Sequence, residues 1–372
     1  MWQKFILKTT SKLSFVALFW LILTTSAQAA LELRVAIRKG VSNVQIGSST
    51  PALVRDGAGR TIGQVEGMNS FVARANGGNI NLAQWNSTNI WLEPSGDGVV
   101  WIGDRWYRGR VLLTRQGNAI TAVNYVDMED YLYSVVGAEA IPSWPQEALK
   151  AQSVAARTYA LYKRNTSRNS VFDLDTTTAT QVYKGLNSEY TTTHQAVRAT
   201  NGQIMTYSNQ PILAVFHSSS GGHTENVEDI WTSPLPYLRG VVDYDQTAPV
   251  FQWNKTVSPS LINQVAGGVG NIRALVPQKT TPQGRVVTMQ VVGDRSSRTV
   301  EGTDLRRVLD LRSTLFRVSL ANNSVQVTGR GFGHGLGLSQ WGTYYLAQNG
   351  VEYRQILGHY YQNARLATMT TR

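Results

Sequence analysis

The chain has 372 residues, 42% hydrophobic and 16% charged, enough to bury a sizeable core in about two domains and too apolar to stay disordered. It holds no cysteine, which excludes a disulfide scaffold, a thiolate metal site and a cysteine nucleophile. The formal charge is +11, and +8 remains without the three leader lysines, which in an exported protein points to cell-wall polymer or lipid head groups rather than nucleic acid.

Lys4, Lys8 and Lys12 precede an apolar run from 15 to 23, and Ala27-Gln28-Ala29 follows as a small-x-small cleavage site. This is the pattern of a signal peptide over 1–29, too short for a comfortable membrane span. The mature chain is expected to begin at Ala30 and to lie in the periplasm or cell wall. An uncleaved leader is the alternative, and would be the membrane contact.

From 30 to 125 the pattern predicts short strands. Leu31 to Ile37 alternates at period two, and apolar pieces at 44–46, 80–82, 90–92, 99–102, 107–113 and 120–123 are separated by Gly, Asn, Asp and Ser. Residues 126–240 form the next block. Asp127 stands as N-cap to a helical turn with Tyr131, Leu132 and Val135, and a break is expected at Gly137. A lone carboxylate, Glu139, lies among small and apolar residues. Ser143-Trp144-Pro145-Gln146 then predicts the start of a long helix, capped by Ser143 with Gln146 in the capping box. Ala148, Ala151, Ala155 and Tyr159 on one face, and Leu149, Ala156 and Ala160 on another, make it a buried central helix. A second helix is expected over 188–200, then strands at 203–207 and 212–217, then the loop His217-Ser-Ser-Ser-Gly-Gly-His-Thr-Glu225.

Residues 241–328 are read as a β-rich scaffold insertion, with short helices near 258–265 and 304–309 and a hairpin turn at 280–284. The last block, 329–372, opens with Gly329-Arg-Gly-Phe-Gly-His-Gly-Leu-Gly-Leu-Ser-Gln-Trp-Gly342 and continues into two helices. The fold class is α+β: a β-rich sheet or barrel scaffold with a central alanine-rich helix, a second mixed α/β part, and an active-site cleft between them.

The glycine run is not a dinucleotide fingerprint, since G-x-G-x-x-G fails at Leu336 read from Gly331 and at Gln340 read from Gly335. It is not a nucleophile elbow, because Gly337 to Gly342 has one residue too many. His217 and His223 invite a zinc assignment, but their spacing is not helical and no thiolate is available, so neither metal nor cofactor is expected. Ser218, Ser219 and Ser220 leave a serine hydrolase as a further alternative, without an ordered Ser/His/Asp set.

Ordinary glycosidases need two carboxylates. Asp127, Glu129 and Asp130 are taken up by the helix start, which leaves Glu139. One acid suffices where the substrate brings its own nucleophile, as the C6 hydroxyl of N-acetylmuramic acid does in peptidoglycan. The apolar setting of Val136, Ala138, Ala140 and Ile141 would keep that acid protonated. The alternative for Glu139 is a hydrogen-bonding residue at a helix end.

Three stretches together carry a family resemblance. The run 130–160, with Tyr131, Leu132, Glu139, Pro142, Ser143, Trp144, Leu149, Lys150, Ala151, Gln152 and Val154 to Tyr159, resembles the signature of the stage II sporulation protein D / amidase-enhancer family. The His217–Glu225 loop and the block at 329–342 resemble its other two motifs; Ala140 replaces the usual methionine after the glutamate. The resemblance implies an exported lytic transglycosylase acting on peptidoglycan glycan strands, with Glu139 as acid and base, 1,6-anhydro ends as product and a groove lined by Gln152, Arg157, Tyr183, His217, Ser219, Thr224, His334, Ser339 and Gln340. The loop cysteines with which some relatives could hold a metal are missing here. The other role attached to the family is non-catalytic: a wall-binding protein that stimulates a separate amidase, its partner.

Overall fold

The computed structural model describes residues 31–177, 180–231, 233–321 and 324–369; the expected leader lies outside them. The chain is α+β. Its N-terminal third forms two sheets that pack on each other. One is seven-stranded, in the order Leu174–Asp175, Glu32–Val41, Ala119–Asp127, Arg110–Gln116, Asn89–Pro94, Ala52–Asp56, Thr61–Val65. The other is six-stranded and centred on Asn43–Ser48, between Val100–Ile102 and Ser70–Asn76. Alternation at period two sends Leu33, Val35, Val44, Ile46, Ile90, Leu92, Val111 and Leu113 into one core. The strands at 52–56, 61–65 and 70–76 escape the pattern: Leu53 and Val72 point outward and Arg55 and Gly63 interrupt the apolar series.

Asp127 ends one of these strands and caps the helix Met128–Glu139, accepting from Glu129 N at 2.8 Å. The helix runs unbroken through Gly137, against expectation. Glycine is needed there for contact, since a Cβ would collide with Ser188 O. The long helix is Gln146–Thr166, and its N-cap is Pro145, with no side-chain cap; Ser143 lies one turn earlier, where Trp144 N donates to Ile141 O. Burial of Ala148, Ala151, Ala155, Ala156 and Ala160 with Leu149 and Val154 shows a helix enclosed on several faces, where the missing side-chain bulk lets neighbours approach. Among the described residues no helix is long and apolar enough to cross a membrane.

The helix expected over 188–200 spans Thr191–Ala199, after a 3-10 turn at Gly185–Ser188. A second core gathers Trp253, Val257, Ile262, Met289, Val291, Leu305, Phe316, Val325 and Val327. It is built from the sheet Gln252–Val257, Ser324–Arg330, Phe316–Ala321, the sheet Ile272–Thr280, Val286–Gly293, Ser297–Glu301, and the helices Pro259–Val265 and Gly302–Val308. The chain then returns to the first core. Leu338–Ser339 pairs in parallel with Phe216–His217, which binds the glycine-rich block to the histidine loop.

Candidate active site

Glu139 is the last residue of its helix, half-buried, on the wall of a cavity of about 550 Å³. Its placement is over-determined. Val182 N–H donates to Glu139 Oε1 at 2.7 Å, and the segment carrying Val182 is tied down on both sides. Tyr131 donates its hydroxyl to Gln181 Oε1, Gln181 Nε2 donates to Ala156 O of the long helix, and Lys184 N donates to Ser134 Oγ. Gln340 Nε2 holds the Glu139 backbone carbonyl at 3.0 Å. Burial pushes the Glu139 carboxyl above its ordinary value, against the opposing pull of the Val182 amide and the Lys184 charge.

Opposite stand two imidazoles whose ring centroids are 5.1 Å apart. His334 is held in one neutral tautomer: Leu336 N donates to its Nδ1, and its Nε2 donates to Phe216 O, both at 3.0 Å. Burial and the Arg285 charge lower its pKa to about 4. His217 Nδ1 donates to Leu336 O, leaving a buried Nε2 lone pair with no partner. Burial and the neighbouring His334 keep that ring well below the usual imidazole range. The glycine block exists for this contact: Gly333 has φ 123°, and a Cβ on it would run into His217 Cβ.

Of the residues expected to line the groove, the structure brings His217, His334 and Gln340 to the cavity with Glu139. Gln152 stands behind, its Oε1 facing Gln340 Nε2 at 3.5 Å and its own Nε2 unbonded. The other five do not line this cavity. Arg157, fully buried, forks onto Glu129 at 2.7 and 2.6 Å and caps Gln203 O and Val197 O. Tyr183 packs between Tyr107 and Tyr131 and donates to Asn124. Thr224 Oγ1 accepts from Val241 N, and Ser339 caps the following helix by accepting from Gly342 N. Ser219 donates to Asp245, as Ser220 does to Asp243, so these two serines brace the loop on buried carboxylates rather than facing a histidine. Arg157, Tyr183, Ser219 and Thr224 are buried polar groups whose partners come from other segments, and Ser339 is taken up by its own helix.

Sequence reasoning missed Tyr159, Trp231, Arg306 and Phe332, all on the cavity wall. Phe332 sits inside the glycine-rich block and was open to notice. Trp231, exposed and 5.4 Å from the His334 ring, follows the histidine loop closely. Arg306, from the helix Gly302–Val308 of the second core, had no signal. His223 is not on the cavity wall, and its Nδ1 donates to Thr224 O. Among the described residues no three His, Cys, Asp or Glu side chains are grouped to share a metal ion.

Comparison with known proteins agrees with the motifs. The family model described as stage II sporulation protein matches residues 116–207, and one described as a domain of unknown function matches 243–337. An uncharacterized protein of Brachyspira hyodysenteriae is 33% identical over 276 residues, 71% of this chain and 73% of that protein. Stage II sporulation protein D of Bacillus subtilis is 35% identical over 266 residues, 66% of this chain and 76% of its own. The amidase enhancer of Bacillus subtilis is 28% identical over 294 residues, 64% of this chain and 40% of its own. With the glutamate helix, the histidine loop and the glycine-rich block joined around one cavity, the chain belongs to the stage II sporulation protein D / amidase-enhancer family.

Proposed function

We propose that the protein is an exported lytic transglycosylase that cleaves peptidoglycan glycan strands, with Glu139 as acid and base. The observation behind this reading is that Glu139 is the one carboxylate among the described residues lining the cavity, and that burial favours its protonated form. The names of the relatives, a sporulation protein and an amidase enhancer, support a cell-wall role. Protonated Glu139 gives its proton to the glycosidic oxygen as the bond from C1 of N-acetylmuramic acid breaks. The resulting carboxylate takes the proton of the C6 hydroxyl while that oxygen bonds to C1, which closes the 1,6-anhydro ring and restores the acid. No second carboxylate is needed, since no water is activated.

The test is digestion of purified peptidoglycan. The wild type should release anhydro-muramic ends, and Glu139→Gln should be slower by roughly 10²–10⁴-fold while still binding glycan. New reducing ends from the wild type would overturn the mechanism. The likeness to an amidase enhancer favours a second reading, a wall-binding protein that stimulates a separate amidase. On that reading Glu139→Gln stimulates the amidase as well as the wild type does.

A further inference from the structure

The second core carries a cavity of about 650 Å³, larger than the one around Glu139. Its wall follows from strand register. Gln252 pairs with Arg330 and Asn254 with Thr328, and Thr328 pairs in turn with Arg317. Directly paired residues share a face, and positions two apart along a strand share it too, so these five side chains project together from one side of the sheet. The alternate row, Trp253, Gly329 and Phe316, turns to the core. The hairpin after Pro277 adds Thr280 and Gln283 to the cavity wall.

Two properties of this wall point to a ligand. No carboxylate lines it. Among the described residues, the side chains of Gln252, Asn254, Gln283, Arg317, Thr328 and Arg330 have no hydrogen bond or ion pair to protein. Arg34, Arg55, Arg108, Arg110 and Arg157 each hold a carboxylate, whereas Arg317 and Arg330 stand on one face of the same sheet with none. Two unpaired guanidiniums are forks shaped for a carboxylate, and the amides and hydroxyl beside them suit hydroxyl and acetamido groups. The position fits a long substrate. Arg330 is two residues from Phe332 of the Glu139 cavity, at most about 7 Å of chain. That short link is fixed by Gly331 N donating to Phe251 O and Trp253 Nε1 donating to Gly331 O.

We propose that this cavity is a second glycan-binding site, which holds a carboxylate-bearing saccharide of the strand being cut and engages its lactyl carboxylate through Arg317 and Arg330. It rests on the reading that wall glycan is the substrate. The test is calorimetric titration in a Glu139→Gln background, so that ligand is not consumed. A soluble tetrasaccharide of alternating N-acetylglucosamine and N-acetylmuramic acid is compared with a neutral N-acetylglucosamine tetramer. Adding Arg317→Gln and Arg330→Gln should weaken the acidic ligand at least tenfold, about 1.4 kcal/mol, and the neutral one by less than twofold. The difference should shrink in high salt. Both arginines are exposed, so thermal unfolding should match the parent.

Unchanged affinity for the acidic tetrasaccharide overturns the proposal. So does arginine-dependent binding of poly(glycerol phosphate) that exceeds it, since the site would then be a phosphate site. A wild type that cuts no glycan yet shows the arginine-dependent binding would sink the catalytic reading and leave this one standing.

Discussion

Glu139, His334 and Gln340 reach their cavity already hydrogen-bonded to the protein, whereas Arg317, Arg330 and Asn254 reach theirs with nothing bonded to them. In the first cavity, the backbone amide of Val182, the Gln340 amide and the Leu336 amide hold each group in one orientation. In the second, donors stand free on a sheet face. On the functions proposed for them, the contrast is that between chemistry and capture. A proton must leave and return along a set path, which requires fixed geometry before the ligand arrives. Capture requires donors whose partners the ligand itself supplies.

The sharpest way to break the comparison is Glu139→Gln, with its loss of roughly 10²–10⁴-fold in glycan cleavage and unchanged folding. A variant that cuts at the wild-type rate would remove the distinction between the cavities. Next in size is Arg157→Leu. It leaves Glu129 and the carbonyls of Gln203 and Val197 without their buried donor, and should cost about 3–5 kcal/mol in denaturant unfolding. Retained stability with lost glycan affinity would instead return Arg157 to the groove. The paired Arg317 and Arg330 changes come third, with a tenfold effect confined to the acidic ligand.

The smallest effect is on pH dependence. Burial raises the Glu139 pKa above 4.5, so the folded protein holds that proton more tightly than the unfolded chain does. This contributes stability below about pH 4.5 that is lost as pH rises through the folded value. Glu139→Gln lacks this titration, so its melting temperature relative to wild type should be more favourable at pH 7 than at pH 4. The same shift places the loss of cleavage on the alkaline side of the profile, where the acid is ionised. A wild-type rate that instead rises steadily with pH would show that a protonated Glu139 is not required.

Local chemistry was legible without coordinates where neighbours in the chain supply the physics. Asp127 caps its helix through an amide two residues on, and alanines at helical spacing predict a helix that others approach closely. Period-two alternation disclosed the strands that send one face to the core. The same local rules misled at Gly137, which looked like a break and is a point of contact with Ser188, and at Ser143, which looked like a cap and is passed over for Pro145.

What the sequence by itself determined was the class of fold, the long alanine-rich helix and the lone glutamate in the segment before it, because cap, periodicity and burial pattern act within a few residues of one another. Tertiary structure alone decided which polar residues of the motifs reach the cavity beside Glu139. Arg157, Ser219, Thr224 and Ser339 lie in the three motifs and Tyr183 between them, yet their polar atoms are claimed by Glu129, Asp245, Val241, Gly342 and Asn124. A hydrogen bond forms where donor and acceptor converge in space, and from Glu139 to Gln340 that convergence spans 201 residues. Arg306 and the face bearing Arg317 and Arg330 owe their places to the packing of the second core, which no spacing in the chain encodes.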